Sequence, residues 1–111
     1  MESRRQQKIS NVLLKDLAEI FQQQAHNLFL GGFITVTNVK VTTDLSFAKV
    51  YVSIFGDKKH TIFEAIEKNK KETRMILAQR VRHQLRKVPD LRFFLDDSLD
   101  YAENINNLLK K

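Results

Sequence analysis

Two stretches of strand-like alternation stand next to each other with only a short gap between them, and this limits the fold more than any other feature. From Ala48 to Ile54 the apolar residues Ala48, Val50, Val52 and Ile54 alternate with Lys49, Tyr51 and Ser53, the two-residue period of a half-buried strand. The stretch from Phe33 to Val41 is rich in β-branched and aromatic residues, but its alternation slips: Ile34 and Val36 keep one phase, Val39 and Val41 the other. A bulge near Thr37–Asn38 reconciles the two phases. Thr42-Thr43-Asp44 reads as a turn. So short a link cannot carry a parallel crossover, which needs a dozen residues or more, and the two strands form an antiparallel hairpin.

Helical periodicity flanks the hairpin. Ile9, Val12, Leu13, Leu17, Ile20 and Phe21 recur at helical spacing, with Lys15, Asp16, Glu19 and Gln22 between them. This helix is expected to end before Gly31-Gly32, where glycine reaches positive φ without a Cβ clash. Thr61 to Lys87 contains neither Gly nor Pro, and Thr61 with Glu64 suggests a capping box. Its apolar stripe of Ile62, Ile66, Thr73, Ile76 and Leu77 is interrupted at Asn69-Lys70-Lys71, so two helices meeting at a kink are expected. Pro89 closes the helical stretch, and Leu91, Phe93 and Leu95 alternate as a third strand. Ser98 suits the cap of a short final helix carrying Leu99, Ile105, Leu108 and Leu109. The expected architecture is a single α+β domain, residues 1–111, of order αββααβ, with helices on one face of a three-stranded mixed sheet and a short C-terminal helix.

The chain carries 19 Lys and Arg against 13 Asp and Glu, a formal charge of +6, which bears on partners and not on fold. Between residues 68 and 92 the imbalance is local: Lys68, Lys70, Lys71, Arg74, Arg80, Arg82, Arg86, Lys87 and Arg92 face only Glu72 and Asp90. Arg4, Arg5 and Lys8 form a second basic cluster, while Asp96, Asp97, Asp100 and Glu103 make the C-terminal part acidic. On a helical wheel over residues 62 to 88, Lys68, Lys71, Arg74, Arg82 and Arg86 share an arc of roughly 120° opposite the apolar stripe. A helix that is merely soluble usually mixes Glu with Lys for the few tenths of a kcal/mol each i,i+4 pair contributes, and nine cations against two acids between residues 68 and 92 is not a mixed surface. One-signed stripes suit phosphates, and four or five such contacts would give log affinity a slope of about −3 to −4 against log salt. Phe47, Tyr51 and Phe94 sit on the polar phase of their strands, where they could stack on bases or pack beneath a neighbouring element.

Little in the chain suits catalysis. There is no cysteine, and His26, His60 and His83 lie in separate elements without metal-ligand spacing, so no metal or cofactor is expected. Asp96, Asp97 and Asp100 fit a helix N-terminus better than a cation site. No apolar run is long enough for a membrane span, the N-terminus lacks a signal peptide, and cytoplasm is the default compartment. No glycine follows Gly56, which excludes the Gly-x-x-Gly clamp by which KH domains hold single strands.

Asp44-Leu45-Ser46-Phe47-Ala48-Lys49-Val50-Tyr51-Val52 resembles the second-strand signature of the ribosome-binding factor A family. Val88-Pro89-Asp90-Leu91-Arg92-Phe93, followed by Asp96-Asp97-Ser98-Leu99, is similar to that family in the same order, and the resemblance runs from about Arg4 to Leu109. It implies a KH-like fold (type II) lacking the Gly-x-x-Gly loop. It also implies binding to the small (30S) ribosomal subunit and its 16S rRNA, action late in subunit maturation including 5′-end rRNA processing, and importance in the cold. Family members usually carry Ala-x-Gly at the interhelical kink; this chain has Asn69-Lys70-Lys71 there. The expected RNA-binding residues are Lys70, Lys71, Arg74, Arg80, Arg82, Arg86 and Lys87, helped by Arg4, Arg5 and Lys8, in a monomer with no catalytic step. The rival readings are a small ribonuclease, revealed by cleavage of precursor RNA by the protein alone, and a protein-interaction module whose binding ignores salt.

Overall fold

The computed structural model describes residues 3–96. The expected C-terminal helix and most of the acidic cluster lie outside the described residues. Seven elements follow one another: α1 (Arg4–Gln23), α2 (Ala25–Leu28), β1 (Phe33–Val41), β2 (Phe47–Phe55), α3 (Lys59–Lys68), α4 (Lys70–Val81) and β3 (Asp90–Leu95). The sheet order is β1-β2-β3, with β1 antiparallel and β3 parallel to β2, as the hairpin and crossover require.

The bulge falls where the phase slips. Val36 pairs with Val52 and Asn38 with Tyr51, leaving Thr37 as the extra residue. Its hydroxyl donates to the Tyr51 carbonyl at 3.2 Å and to Asp96 Oδ2 at 2.7 Å, so the residue that leaves the ladder ties β1 to the end of β3. With the phase corrected, Val36, Val39, Val41, Val50, Val52, Ile54, Leu91 and Phe93 all face the helices. Against them α1 lays Ile9, Leu13, Leu17, Ile20 and Phe21, while α3 and α4 add Ile62, Ile66, Leu77 and Val81. Phe21 meets Phe29 and Phe93 edge-on, with centroids 5.0 and 6.0 Å apart. Burial of this order is worth about 1.5–3 kcal/mol per large side chain, and it is what holds helices of modest propensity in place.

At the start of α1 a capping box closes the helix. Ser3 Oγ accepts from the Gln6 amide, and Gln6 Oε1 accepts from the Ser3 amide. Gln6 Nε2 also donates to the Val41 carbonyl at 2.9 Å, which ties the helix start to the end of β1. Gly32 is needed for space: a Cβ there would lie 2.8 Å from Ile62 Cγ2.

The helical crossover breaks at Asn69, as the interrupted stripe implies. Asn69 takes φ −101° and ψ 19°, and its side-chain amide donates to the Ala65 and Leu28 carbonyls, both at 2.9 Å. A single Asn thus interrupts the helix without glycine. The Thr73 hydroxyl, buried one turn on, donates to the Asn69 carbonyl at 2.8 Å and secures the restart.

Two expectations for this crossover are corrected. Thr61 does not cap α3: the helix begins at Lys59 after Lys58, whose side chain makes no cap bond, and Thr61 lies within the first turn. Nor does the helix run to Lys87. It ends at Val81, the last fully buried residue of the stripe, and residues 82–84 form a turn closed by Gln84 and Leu85 amides on the Val81 carbonyl. The chain must turn back to enter β3 parallel to β2. Arg74 holds the returning segment through the Val88 carbonyl at 2.6 Å and the Pro89 carbonyl at 3.2 Å.

Candidate nucleic-acid interface

With α4 stopping at Val81, the basic stretch splits into two parts, and the single helical stripe of the wheel does not exist. On α4, two arginines are turned onto the protein. Arg74, besides its two carbonyl bonds, lies 3.3 Å from Asp90 Oδ1. Arg80 Nε donates to Asp16 Oδ1 at 3.0 Å, and its Nη2 pairs with Glu19 Oε2. The excess of nine cations over two acids along the sequence is thus reduced in space by carboxylates of α1. Lys70 pairs with Glu67 at 3.2 Å, whereas Lys68 and Lys71 are exposed beside Glu72 and Met75 on a shallow depression.

Beyond α4 the arrangement differs. Leu85, half-buried against the core, anchors the irregular segment and brings Arg86 and Lys87 to the first turns of α1. There they face Arg5 and Lys8 across a groove of about 680 Å³, floored by Ile9, Val12, Leu45 and Leu85. Residues some eighty positions apart in sequence therefore meet in one cationic cleft. Among the described residues none of these four cations has an ion-pair partner. Arg4, next to Arg5 in the chain, and Arg82, two residues before Gln84, are exposed, Arg82 Nε lying 3.4 Å from His83 Nε2. Arg92 is elsewhere, on β3, with its guanidinium carbon 4.2 Å from the centre of the Phe47 ring.

The charge in this groove opposes local helix stability. Arg4, Arg5 and Lys8 crowd the N-terminal end of α1, where the helix dipole is positive and no acidic residue occupies the first turn. The capping box offsets that cost without removing the charge.

Asp44, which also lines the groove, belongs to the turn between β1 and β2. Its Oδ1 accepts from the Ser46 hydroxyl at 2.7 Å, the Thr42 hydroxyl at 2.9 Å and the Ser46 amide at 3.2 Å. The Ser46 and then the Thr42 hydroxyl bond hold its carboxyl below the ordinary value of 3.8. The bonds fix a turn in which Leu45 takes φ 62°, a left-handed conformation that strains a branched side chain by roughly 1–2 kcal/mol. That strained turn aims Leu45 into the groove floor. In the sequence Asp44-Leu45-Ser46 is legible only as part of a family signature, and Gln84 and Leu85 carry no local signal that places them at a site.

Fold and site together define a small α+β domain with helices on one face of a three-stranded mixed sheet and a cationic cleft between the start of α1 and the segment that follows α4. The chain belongs to the ribosome-binding factor A family, whose family model matches residues 5–109. It is 48% identical over 111 residues to ribosome-binding factor A of Christiangramia forsetii, covering 98% of this chain and 85% of that one. Its fold is similar to the crystal structure of the Thermus thermophilus factor, with a TM-score of 0.68 and 26% identity over 81% of this chain and 94% of the other. It is also similar, with a TM-score of 0.62 and 30% identity over 78% of this chain and 89% of the other, to coordinates of the Thermus thermophilus factor fitted into a cryo-EM map of its 30S complex.

Proposed function

We propose that this protein is an assembly factor that binds the small (30S) ribosomal subunit through its 16S rRNA late in maturation, as a cytoplasmic monomer. It supports 5′-end processing by holding an RNA conformation and makes or breaks no bond itself. A factor of this kind would matter most in the cold, where misfolded RNA rearranges slowly. The observation that carries the reading is the groove: Arg5, Lys8, Arg86 and Lys87 converge from opposite parts of the chain without ion-pair partners among the described residues. A cleft with cationic walls and an apolar floor matches a phosphate backbone, and family membership directs that chemistry to the ribosome. Arg4 and Arg82 extend the basic surface beside it, while Lys70 and Lys71, at the start of α4, form a separate basic patch. In this reading Arg74 and Arg80 act chiefly by holding the returning segment and α1 in position. Specificity comes from RNA shape, because side chains do not reach base edges in the deep groove of an A-form helix.

Co-sedimentation with isolated small subunits tests the proposal. Arg86→Glu combined with Lys87→Glu is expected to lower retention on the order of 10- to 100-fold near 0.1 M salt with the fold intact. Retention equal to wild type would remove the groove from the interface. Cleavage of precursor RNA by the purified protein alone would replace the reading with a nuclease.

A further inference from the structure

The face of the sheet opposite the helices is not used by the groove, and it is unusually composed. The strand register places its residues in rows. Lys40 pairs with Lys49, and Lys49 with Arg92, so three cations stand side by side across all three strands. The next row is Asn38, Tyr51 and Phe94, the last two stacked with centroids 5.4 Å apart and rings 26° from parallel. On the other side of the cations lies Phe47, with Arg92 over its ring. At the far end the paired Phe33 and Phe55 are 71% and 80% exposed, and Phe94 is 41% exposed.

Among the described residues nothing in the fold calls for this arrangement. Like charges directly opposite each other on a sheet are destabilising, and here three are consecutive. The acidic residues at the two ends of β3 are already engaged, Asp90 with Arg74 and Asp96 with the Thr37 hydroxyl. Exposed aromatic rings beside them add a cost that a merely solvated face avoids. A polyanion bearing flat apolar rings resolves both costs together.

We infer that this open face is a second RNA surface, which takes a short unpaired segment: bases stack on Tyr51 and Phe94, and the Lys40–Lys49–Arg92 row, with Arg92 held over Phe47, neutralises the phosphates between them. From Phe47 to Tyr51 is about 13 Å along the strand, and the sheet is about 10 Å wide between its outer strands, which suits on the order of four nucleotides. A duplex cannot stack on it, since paired bases present no free ring faces. The groove and the sheet face then divide the work, one taking folded RNA by its backbone and the other an unpaired strand by its bases. The inference does not depend on the groove reading, because none of its residues lines that cleft.

The test uses the full chain with a fluorescein-labelled single-stranded decamer of mixed sequence and a hairpin duplex RNA, read by anisotropy. Tyr51→Leu with Phe94→Leu is expected to weaken single-strand binding at least 10-fold and to leave duplex binding within about 2-fold, given ~1–3 kcal/mol per stacked base. Lys40→Gln with Lys49→Gln guards against a folding defect. Both side chains are exposed, so the variant should melt no lower than wild type while its salt slope for the single strand falls by about 1.4. Single-strand affinity unchanged in both variants would overturn the inference. So would a concentration-dependent dimer that Tyr51→Leu with Phe94→Leu abolishes while RNA affinity stays at the wild-type level, since the face would then belong to a second copy of the chain.

Discussion

The arginines of α4 and those that follow it differ in what they touch. Arg74 and Arg80 are satisfied by the protein: two carbonyls and Asp90 for the first, Asp16 and Glu19 for the second. Arg86 and Lys87, only a few residues on, border a groove with two further cations and have no ion-pair partner among the described residues. One basic run thus contains residues that build the fold and residues that the described part of the fold leaves without an ion-pair partner. Charge in the sequence does not distinguish them, whereas the end of a helix does. On α4 the neighbouring α1 supplies acids; beyond Val81 the chain meets the basic start of α1 instead.

The contrast can be broken by stability measurements, beginning with the largest. Arg74→Ala removes the clamp on the segment entering β3 and is expected to cost about 1–2 kcal/mol, a charge-assisted bond being discounted because the side chain is 39% exposed. Urea unfolding of that variant with an unshifted midpoint would show that the returning segment holds itself. Arg80→Ala should cost about 1 kcal/mol, and a double-mutant cycle with Asp16→Asn should show coupling of roughly 0.5–1 kcal/mol, because this pair is only 26% and 16% exposed. Independent, additive effects would mean the pair contributes nothing. Arg86→Ala and Lys87→Ala are each expected to shift stability by less than about 0.5 kcal/mol. A larger loss in either would place it with the structural arginines.

The smallest effect concerns the turn on the groove wall. Because the carboxyl of Asp44 is held below its ordinary value in the folded chain, its bonds stabilise the fold above about pH 4. That contribution disappears as pH falls through the lowered value. Melting temperature followed from about pH 5 to pH 2 should therefore fall slightly more steeply in wild type than in Asp44→Asn. Parallel curves would mean the turn does not depend on the charge.

Patterns carried by neighbouring residues were legible in the sequence. The hairpin, the slip at Thr37 and the break at Asn69 each follow from a local change of period, and the structure shows all three. What was not legible depends on distant contacts. Asp16 and Glu19 reach Arg80 across more than sixty positions, and no local signal announces that pairing, although both acids lie on one side of α1 at i,i+3 spacing. The helix end at Val81 was hidden because Leu77, Val81 and Leu85 keep a helical interval after the helix itself has stopped. Only the need to turn back toward a parallel β3 ends it. The basic residues are legible as a set, but their division between those held by the fold and those lining the groove depends on contacts between distant parts of the chain.

The salt dependence of small-subunit binding tests that division most directly, because each lost phosphate contact lowers the slope by about one, whatever happens to stability. Arg86→Gln is expected to reduce the slope of log affinity against log salt by about 1, and Arg80→Gln to leave it unchanged. A slope that falls for Arg80→Gln and holds for Arg86→Gln would contradict the account and return the interface to the helix.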